Sequence, residues 1–376
     1  MAGIAQLVDD MISNGTIQDI LANPLAMFGR PSRPYKGAEL LPNRVVPLNE
    51  FREDRIQYKT IIANDGTRYS PVQLKSGSRL GSFLVELGEN DIGSQMTSNE
   101  YDTLLRMLRQ NDSGTSMAAI AQVTNWVDMT INLALEEKIE QQRWQAICNA
   151  VVQRRGDNGY TEDVLYPNPV GARVTVPGGT IAVPAGLYDP TLDPFVTLDT
   201  QISYLEAKGY TIDRAFASRK LMMSWARHPL VARRLSKVVY NTGGTTSGFV
   251  PRLSLDSVNE VLSAEGLPPV ERYETTYFGT DGLSQRFLPD NKLVLVALTG
   301  RSEEIDLGDN EPVVVPNTLG YAAIGRAAGQ ATPGRAVNIE ATKGKPPTIE
   351  CQGWQTQLPV ITDPEAISVI TYVAPA

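Results

Sequence analysis

Gly114-Thr115-Ser116-Met117-Ala118 is the run best spaced for covalent chemistry: small residues set a serine where a long helix begins. A nucleophilic serine needs a base to take its proton and an acid to orient that base. The chain has one histidine, His228, which comes well after the serine, inside Arg227-His228-Pro229. A histidine just ahead of a proline at a helix junction is expected to cap or pack. Gly114–Ser116 is then expected to cap the helix that follows. Phosphate chemistry is no better served. No Gly-x-Gly-x-x-Gly is present, and Gly344-Lys345 runs into Pro346 and Pro347, which a phosphate-cradling helix start does not tolerate. Glu303, Glu304, Asp306, Asp309 and Glu311 lack the spacing of a cation-binding loop and are expected to be a solvated acidic stretch. Cys148 and Cys351 stand far apart with no Cys-x-x-Cys, so neither a disulfide framework nor a zinc site is indicated. The expectation is no enzyme, with no catalytic, cofactor-binding or metal-ligating residues and no cofactor.

The Ser116 run resembles the nucleophile signature of subtilisin-like serine proteases. In that pattern both partners of the serine come earlier in the chain, and a proline stands where this chain has Ile120. A serine hydrolase using Ser116 therefore stands only as a reading of another class.

Composition narrows the field further. Of 376 residues 42% are hydrophobic and 20% charged, which is ordinary for a folded soluble chain long enough for two domains. A net charge of −8 argues against a nucleic-acid reader, whose footprint is a basic face. An acidic wall can still surround nucleic acid without gripping it. No apolar run reaches the ~18 residues of a membrane-crossing helix, so no membrane partner is expected. The start, MAGIAQLVDDMISNG, has early acids and no basic segment, so a secretory signal is not expected. With so few cysteines, an intracellular, reducing origin is expected.

The element that has to position everything else is Ser116–Arg155, free of proline and glycine and bracketed by Gly114 and Gly156. At 1.5 Å per residue it predicts a rod of ~60 Å. Ile120, Val123, Val127, Ile131, Leu135 and Ile139 form one apolar stripe, which needs a sheet or a neighbour to lie on. Glu136, Glu137, Lys138, Glu140 and Arg143 are expected on a solvated or intersubunit face, and Trp126 and Trp144 as packing anchors.

Ahead of it, residues 1–23 read as a short amphipathic helical piece. Pro24–Pro47 reads as an extended arm that cannot form a helix and docks on another surface. Residues 55–92 read as a long β-hairpin, with Ile56, Tyr58, Thr60 and Ile62 alternating against Phe83, Val85 and Leu87 around a tip at 64–79. Ser98–Gln110 predicts a short helix capped by Ser98.

After Gly156 short strands are expected at 174–176 and 181–183. A compact α/β unit follows. Asp193-Pro194 opens a helix that Gly209 ends, 210–216 is a strand, Ser218 starts a helix interrupted at Pro229, and Ser254 starts another closed by Gly266. Asn241–Gly248 is a glycine- and threonine-rich loop. Strands are expected at 270–277, 285–288 and 292–298, and closing strands at 313–315, 336–341, 351–359 and 367–373.

That order of elements resembles the capsid fold of tailed phages, and specific residues resemble the lambda-type major head protein family. They are Arg286-Phe287-Leu288-Pro289-Asp290-Asn291-Lys292-Leu293-Val294-Leu295 and the closing segment Leu358-Pro359-Val360-Ile361-Thr362-Asp363-Pro364-Glu365 through Val369. The motif match covers the last third of the chain; the element order covers nearly all of it. The resemblance implies an α+β fold with an N-terminal arm (1–54) and an extended β-hairpin loop (55–93). A peripheral domain (94–190) carries the spine helix (116–155), and an axial α/β domain (191–310) precedes closing strands (311–376).

It also implies a major capsid protein of a tailed double-stranded DNA bacteriophage. Such a subunit is assembled in the host cytoplasm into hexamers and pentamers of an icosahedral virion head. The implied partners are other copies of itself, a decoration or cement protein, a scaffolding protein, a portal, and packaged DNA held by weak non-specific contact. Lys59 and Lys75 in the hairpin are candidates for covalent cross-linking between subunits, although heads of this type resemble those secured by a decoration protein. A cellular nanocompartment shell of the same fold is the other structural reading. Removing residues 1–47 is expected to leave a folded subunit that cannot close shells.

Overall fold

The computed structural model describes residue 13 and residues 34–58, 78–109, 113–156, 159–176, 193–228, 230–231, 234, 254–279, 281–298, 304–305, 313–314, 318–342 and 348–372. The helical piece at 1–23 apart from residue 13, the arm up to residue 33, the hairpin tip with Lys59 and Lys75, the strand at 181–183, the loop at 241–248 and most of the acidic stretch lie outside the described residues.

Two five-stranded sheets organise the rest. The first is built on Thr348–Ile361, a strand of 14 residues. Arg335–Thr342 pairs antiparallel along one side of it. Gly320–Ile324, opposite residues 357–361, continues along that same side, and Gly88–Gln95, opposite residues 350–357, takes the other. Pro359 falls beyond the end of the Gly88–Gln95 pairing, where a missing amide hydrogen costs no ladder bond on that side. Asn43–Val45 completes the sheet, parallel to Gly320–Ile324.

The second sheet runs Arg173–Val176, Ile367–Tyr372, Lys292–Val296, Arg214–Ala217, Val270–Arg272. Its strands alternate between two apolar environments because both faces are covered. Ala215, Ala217, Leu293, Leu295, Ile370 and Tyr372 face a core made with the helices Pro194–Glu206, Arg219–Arg227 and Leu255–Ala264. Phe216, Val294, Val296, Ile367 and Val369 face the opposite way, towards Trp144, Ile147 and Cys148. Thus Arg173–Val176, inside the span expected to be peripheral, is a strand of the α/β sheet.

The long helix joins the two sheets. It runs from Ser113 to Asn149 as an α-helix interrupted by one π-turn, Asp128–Asn132. Its stripe Val123, Val127, Ile131 and Leu135 packs on Ile339, Ile349 and Cys351 of the first sheet. At the π-turn the helix presses a side chain onto the sheet: a Cβ on Gly353 would stand 2.2 Å from the Ile131 Cγ2. A π-turn is a common device at such a local constraint.

The expected end at Arg155 is corrected. The helix stops at Asn149, Ala150 takes a left-handed φ of 54°, and Val151–Arg155 becomes a strand paired with Thr161–Leu165. Two consecutive β-branched valines favour that pairing, and Val152 is fully buried by it. The start is corrected as well: Gly114, Thr115 and Ser116 lie inside the first turn instead of capping it.

Five smaller expectations also shift. The helix at Ser98–Arg109 is capped by Thr97, not Ser98. The Thr97 Oγ1 accepts from the Glu100 amide at 3.4 Å, and a Glu100 carboxylate oxygen accepts from the Thr97 amide at 2.9 Å, a capping box. The hairpin is Glu50–Tyr58 with Ser78–Glu86, since Gly88–Gln95 leaves it for the first sheet. Residues 210–213 precede their strand, and the strand expected at 270–277 divides at Tyr273–Thr275. Finally, Lys36–Leu40 is a helical turn, because the interval between Pro34 and Pro42 holds no proline.

Candidate functional site: the hub on the long helix

Past the apolar stripe, the long helix turns a polar patch inwards. Glu140 and Arg143, expected on a solvated or intersubunit face, are 0% and 2% exposed. The correction has a geometric cause: Lys36–Leu40 packs across the long helix at this point. One carboxylate oxygen of Glu140 accepts three hydrogen bonds, from the Gly37 amide at 2.8 Å, the Trp144 Nε1 at 2.9 Å and the Tyr273 hydroxyl at 2.8 Å. The other pairs with Arg143 at 3.1 Å, and Arg143 reaches Asn43 Oδ1 at 2.5 Å. One side chain therefore ties the segment before the hairpin, the long helix and the α/β unit together.

Burial lowers the Arg143 guanidinium from its ordinary range, and the Glu140 charge pushes it back up. Burial, reinforced by Glu140, drives the Tyr273 phenol far above its ordinary range and keeps it a neutral donor. Gly37 is required sterically, since a Cβ there would lie 2.8 Å from both Glu140 oxygens.

Around the hub lies an aromatic cluster. Trp144 stacks on Tyr273 at 5.0 Å and meets Phe216 edge-on at 5.8 Å. Phe287, from the motif that carries the family resemblance, stacks on Tyr277 at 4.8 Å and meets Tyr35 edge-on at 6.0 Å. The same motif closes its turn through an Arg286–Asp290 ion pair at 3.1 Å, and the Asp290 carbonyl accepts from the Ser218 hydroxyl at 2.9 Å. Its strand–turn–strand is thus a packing and turn device.

Two cations close the end of the long helix. Arg173 donates to the Ile147 carbonyl at 2.9 Å and Lys292 to the Cys148 carbonyl at 3.4 Å. Both complement the negative end of the helix dipole and satisfy carbonyls that have no partner in the helix. Cys148 and Cys351 are free and buried, which pushes their thiols up to about 11 and about 12.

A second, more exposed clamp joins Lys36–Leu40 to the α/β sheet. Arg214 pairs with Glu271 at 2.9 Å and Glu39 at 2.8 Å, while its guanidinium lies 4.8 Å over the Phe216 ring. The Arg214 hydrogen bond holds the Glu271 carboxyl below its usual range. For Glu39, burial raises the carboxyl, and the bonds and charges of Arg214 and Lys36 together lower it further. Carboxyls with folded pKa values below their unfolded ones stabilise the fold above the unfolded pKa and lose that effect as pH falls through the folded one. The melting-temperature gap between wild type and Arg214→Ala should therefore be widest near pH 7 and shrink in acid below pH ~4. The residue left at low pH is the contact with Phe216. A gap independent of pH in thermal melts would show the ion pairs to be irrelevant.

Ser116 and His228 fall on different helices of the fold. Ser116 lies within the first turns of the long helix. His228 is buried at the C-terminal end of Arg219–Arg227, its Nδ1 accepting from the Leu230 amide at 3.3 Å. Among the described residues no cluster of histidine, cysteine, aspartate and glutamate could hold a metal, and no helix is long and apolar enough to cross a membrane. The hub was missed from sequence because Glu140 sits among Glu136, Glu137 and Lys138. The one usable signal was its spacing: Arg143 and Trp144 follow at three and four positions, on the same helix face.

Comparison with known proteins gives three kinds of result. A family model described as phage major capsid protein E matches residues 98–308. No curated protein matches the chain. Among solved structures, a protein assigned as a prophage capsid protein of E. coli CFT073 is 12% identical, over 96% of this chain and 98% of its own, with a TM-score of 0.54. A phage-related protein from Bordetella bronchiseptica RB50 is 12% identical, over 91% and 93%, with a TM-score of 0.48. The SrpI encapsulin from Synechococcus elongatus PCC 7942 is 12% identical, over 95% and 96%, with a TM-score of 0.40.

Proposed function

We propose the following organisation for this chain, which belongs to the phage major capsid protein E family. It is a major capsid protein, and its copies self-assemble into the shell of a bacteriophage head. The observation that carries the role is the family match over residues 98–308, supported by a fold shared with a prophage capsid protein.

The sheet built on Thr348–Ile361, with the first half of the long helix, acts as the peripheral domain. The sheet built on Lys292–Val296, with its three helices, acts as the axial domain. Glu140 locks one to the other from the second half of the long helix. Subunits group as hexamers and pentamers in an icosahedral head, assembled in the host cytoplasm with a scaffolding protein, a portal and a decoration protein. Packaged double-stranded DNA touches the inner wall weakly, since a net charge of −8 favours no tight grip. Whatever binding occurs should weaken as salt is added.

The role is structural and requires no catalysis. The capping contact of His228 and the place of Ser116 within a helix both favour this over a hydrolase. Electron microscopy of the purified chain at high concentration, in negative stain, is the direct test. Closed shells, tubes or hexagonal sheets are expected. Particles no larger than a monomer at every concentration, or labelling of Ser116 by a fluorophosphonate, would refute the reading.

A further inference from the structure

The long helix meets the first sheet through apolar side chains at two places. Ile131 and Leu135 cluster with Ile349 and Cys351, and further along Ala146 and Ile147 cluster with Ile361. Between them the interface is polar. The pairing of Gly88–Gln95 with the central strand sets Gly88 opposite Gln357, Asn90 opposite Gln355 and Ile92 opposite Gly353. With a side-chain period of two, these six residues share one face of the sheet. It is the face that the helix covers: Ile131 presses on Gly353, and the Gln142 Nε2 donates to Asn90 Oδ1 at 3.0 Å. Arg154, on the strand Val151–Arg155, closes the far end. Its guanidinium fills the space beside Gly88, where a Cβ would stand 2.2 Å from the Arg154 Cζ, and it pairs with Glu162 at 2.8 Å.

Four side chains at this polar gap carry buried atoms that no group among the described residues answers. They are Asn90 Nδ2, Gln142 Oε1, Arg154 Nε, and both Oε1 and Nε2 of Gln357. Gln142 and Gln357 are 0% exposed and Arg154 is 7% exposed, so bulk water does not reach them. Buried side-chain polar atoms are as a rule hydrogen-bonded, either to protein or to ordered water. Gln357 breaks that rule at both ends of its amide.

The chemistry of the unanswered atoms selects the ligand. Asn90 Nδ2, Arg154 Nε and Gln357 Nε2 are donors, while the Oε1 atoms of Gln142 and Gln357 are acceptors. An anion would face the two amide oxygens, and a cation would face the Arg154 charge. Water both donates and accepts, and it answers both sets. Asn90 and Gln357 are also diagonal neighbours across the ladder, a separation of ~7–8 Å that a bridging water suits. We propose that the middle of this interface is an internal hydration site, in which about two ordered waters, each making about three hydrogen bonds, are held by Asn90, Gln142, Arg154 and Gln357. The long helix is then fixed to the sheet by direct apolar contact at two places and through solvent between them. The site belongs to the single subunit and stands apart from the shell reading.

A density map of the full wild-type chain, at a resolution that shows ordered solvent, is the direct test. Solvent peaks within hydrogen-bond distance of Gln142 Oε1 and of the Gln357 amide are expected. Gln142 and Gln357 bonded to each other or to other side chains, with no solvent between, would overturn the site. Stability supplies an independent sign. Gln357→Leu keeps the bulk of the side chain but cannot hold water, and it strands the partners on the other side of the bridge. Its urea midpoint should therefore fall below that of wild type. A dry, unanswered amide predicts the reverse, because removing it relieves the cost of burying it. A midpoint equal to or above wild type would overturn the proposal. In oxygen-17 relaxation dispersion of the solvent, the unassembled wild type should hold about two more long-lived waters than Gln357→Leu; equal numbers would overturn it. If the leucine variant does not fold, the wild-type map decides alone.

Discussion

Glu140→Ala should cost the unassembled subunit about 3–5 kcal/mol, the usual effect of removing one partner from a buried ion pair. The loss is large because the carboxylate answers four groups at once. Alanine leaves the Arg143 charge buried, and strands the Gly37 amide, the Trp144 indole and the Tyr273 hydroxyl without their acceptor. Glu140→Gln keeps a carbonyl oxygen in place and loses the charge, so its cost should be nearer 1.5–3 kcal/mol, the range for hydrogen bonds to charged groups. Replacing the pair together, Glu140→Leu with Arg143→Met, removes the stranded charge and should recover part of what alanine loses. It should not recover everything, since the three neutral donors remain unanswered. Urea unfolding of the unassembled variants gives all three values from shifts in midpoint. A loss under 1 kcal/mol for the alanine variant would mean that the hub holds nothing.

The same side chain shows why parts of this fold were legible in sequence and others were not. Local signals were reliable where a single residue decides a local geometry. Asp193 ahead of Pro194 caps its helix by accepting from the Phe195 amide at 3.0 Å, and Gly209 and Gly266 take positive φ where helices end. Ser218 and Ser254 likewise cap the helices they were expected to open. The strand expected at 292–298 is present as Lys292–Val296. Signals failed where the deciding partner is distant in sequence. Whether Glu140 meets water depends on Gly37, about a hundred positions earlier. Whether the long helix passes Ala150 depends on a strand pairing with Thr161–Leu165. Its apolar stripe is a property of the helix; its end and its polar face belong to the tertiary structure.

The proline-rich segment before the hairpin needs the same division, and the second large effect follows from it. The expectation that residues 1–47 can be removed without harm to the fold treated the whole segment as an arm. Within it, Leu40 and Leu41 are fully buried against Trp144, Leu288 and Leu319, and Asn43–Val45 is a sheet strand. The Leu40 carbonyl also accepts from the Leu319 amide at 3.0 Å, and Gly37 donates to the hub. Losing a buried leucine side chain alone costs about 2–5 kcal/mol. Two of them, with a strand and a hub contact, reach the whole stability of a typical domain, about 5–15 kcal/mol. Deleting residues 1–47 should therefore yield an insoluble or non-cooperatively melting chain. Deleting residues 1–33 keeps each of those contacts and should leave a subunit that melts cooperatively within a few degrees of wild type. That shorter deletion is the one that asks whether the leading segment serves assembly: folded subunits that form no regular shells in electron micrographs are the expected result. A cooperative, wild-type-like melt from the 1–47 deletion would show that Leu40, Leu41 and the parallel strand are dispensable. Regular shells from the 1–33 deletion would place the closing contacts entirely in the folded body, beyond the first thirty-three residues.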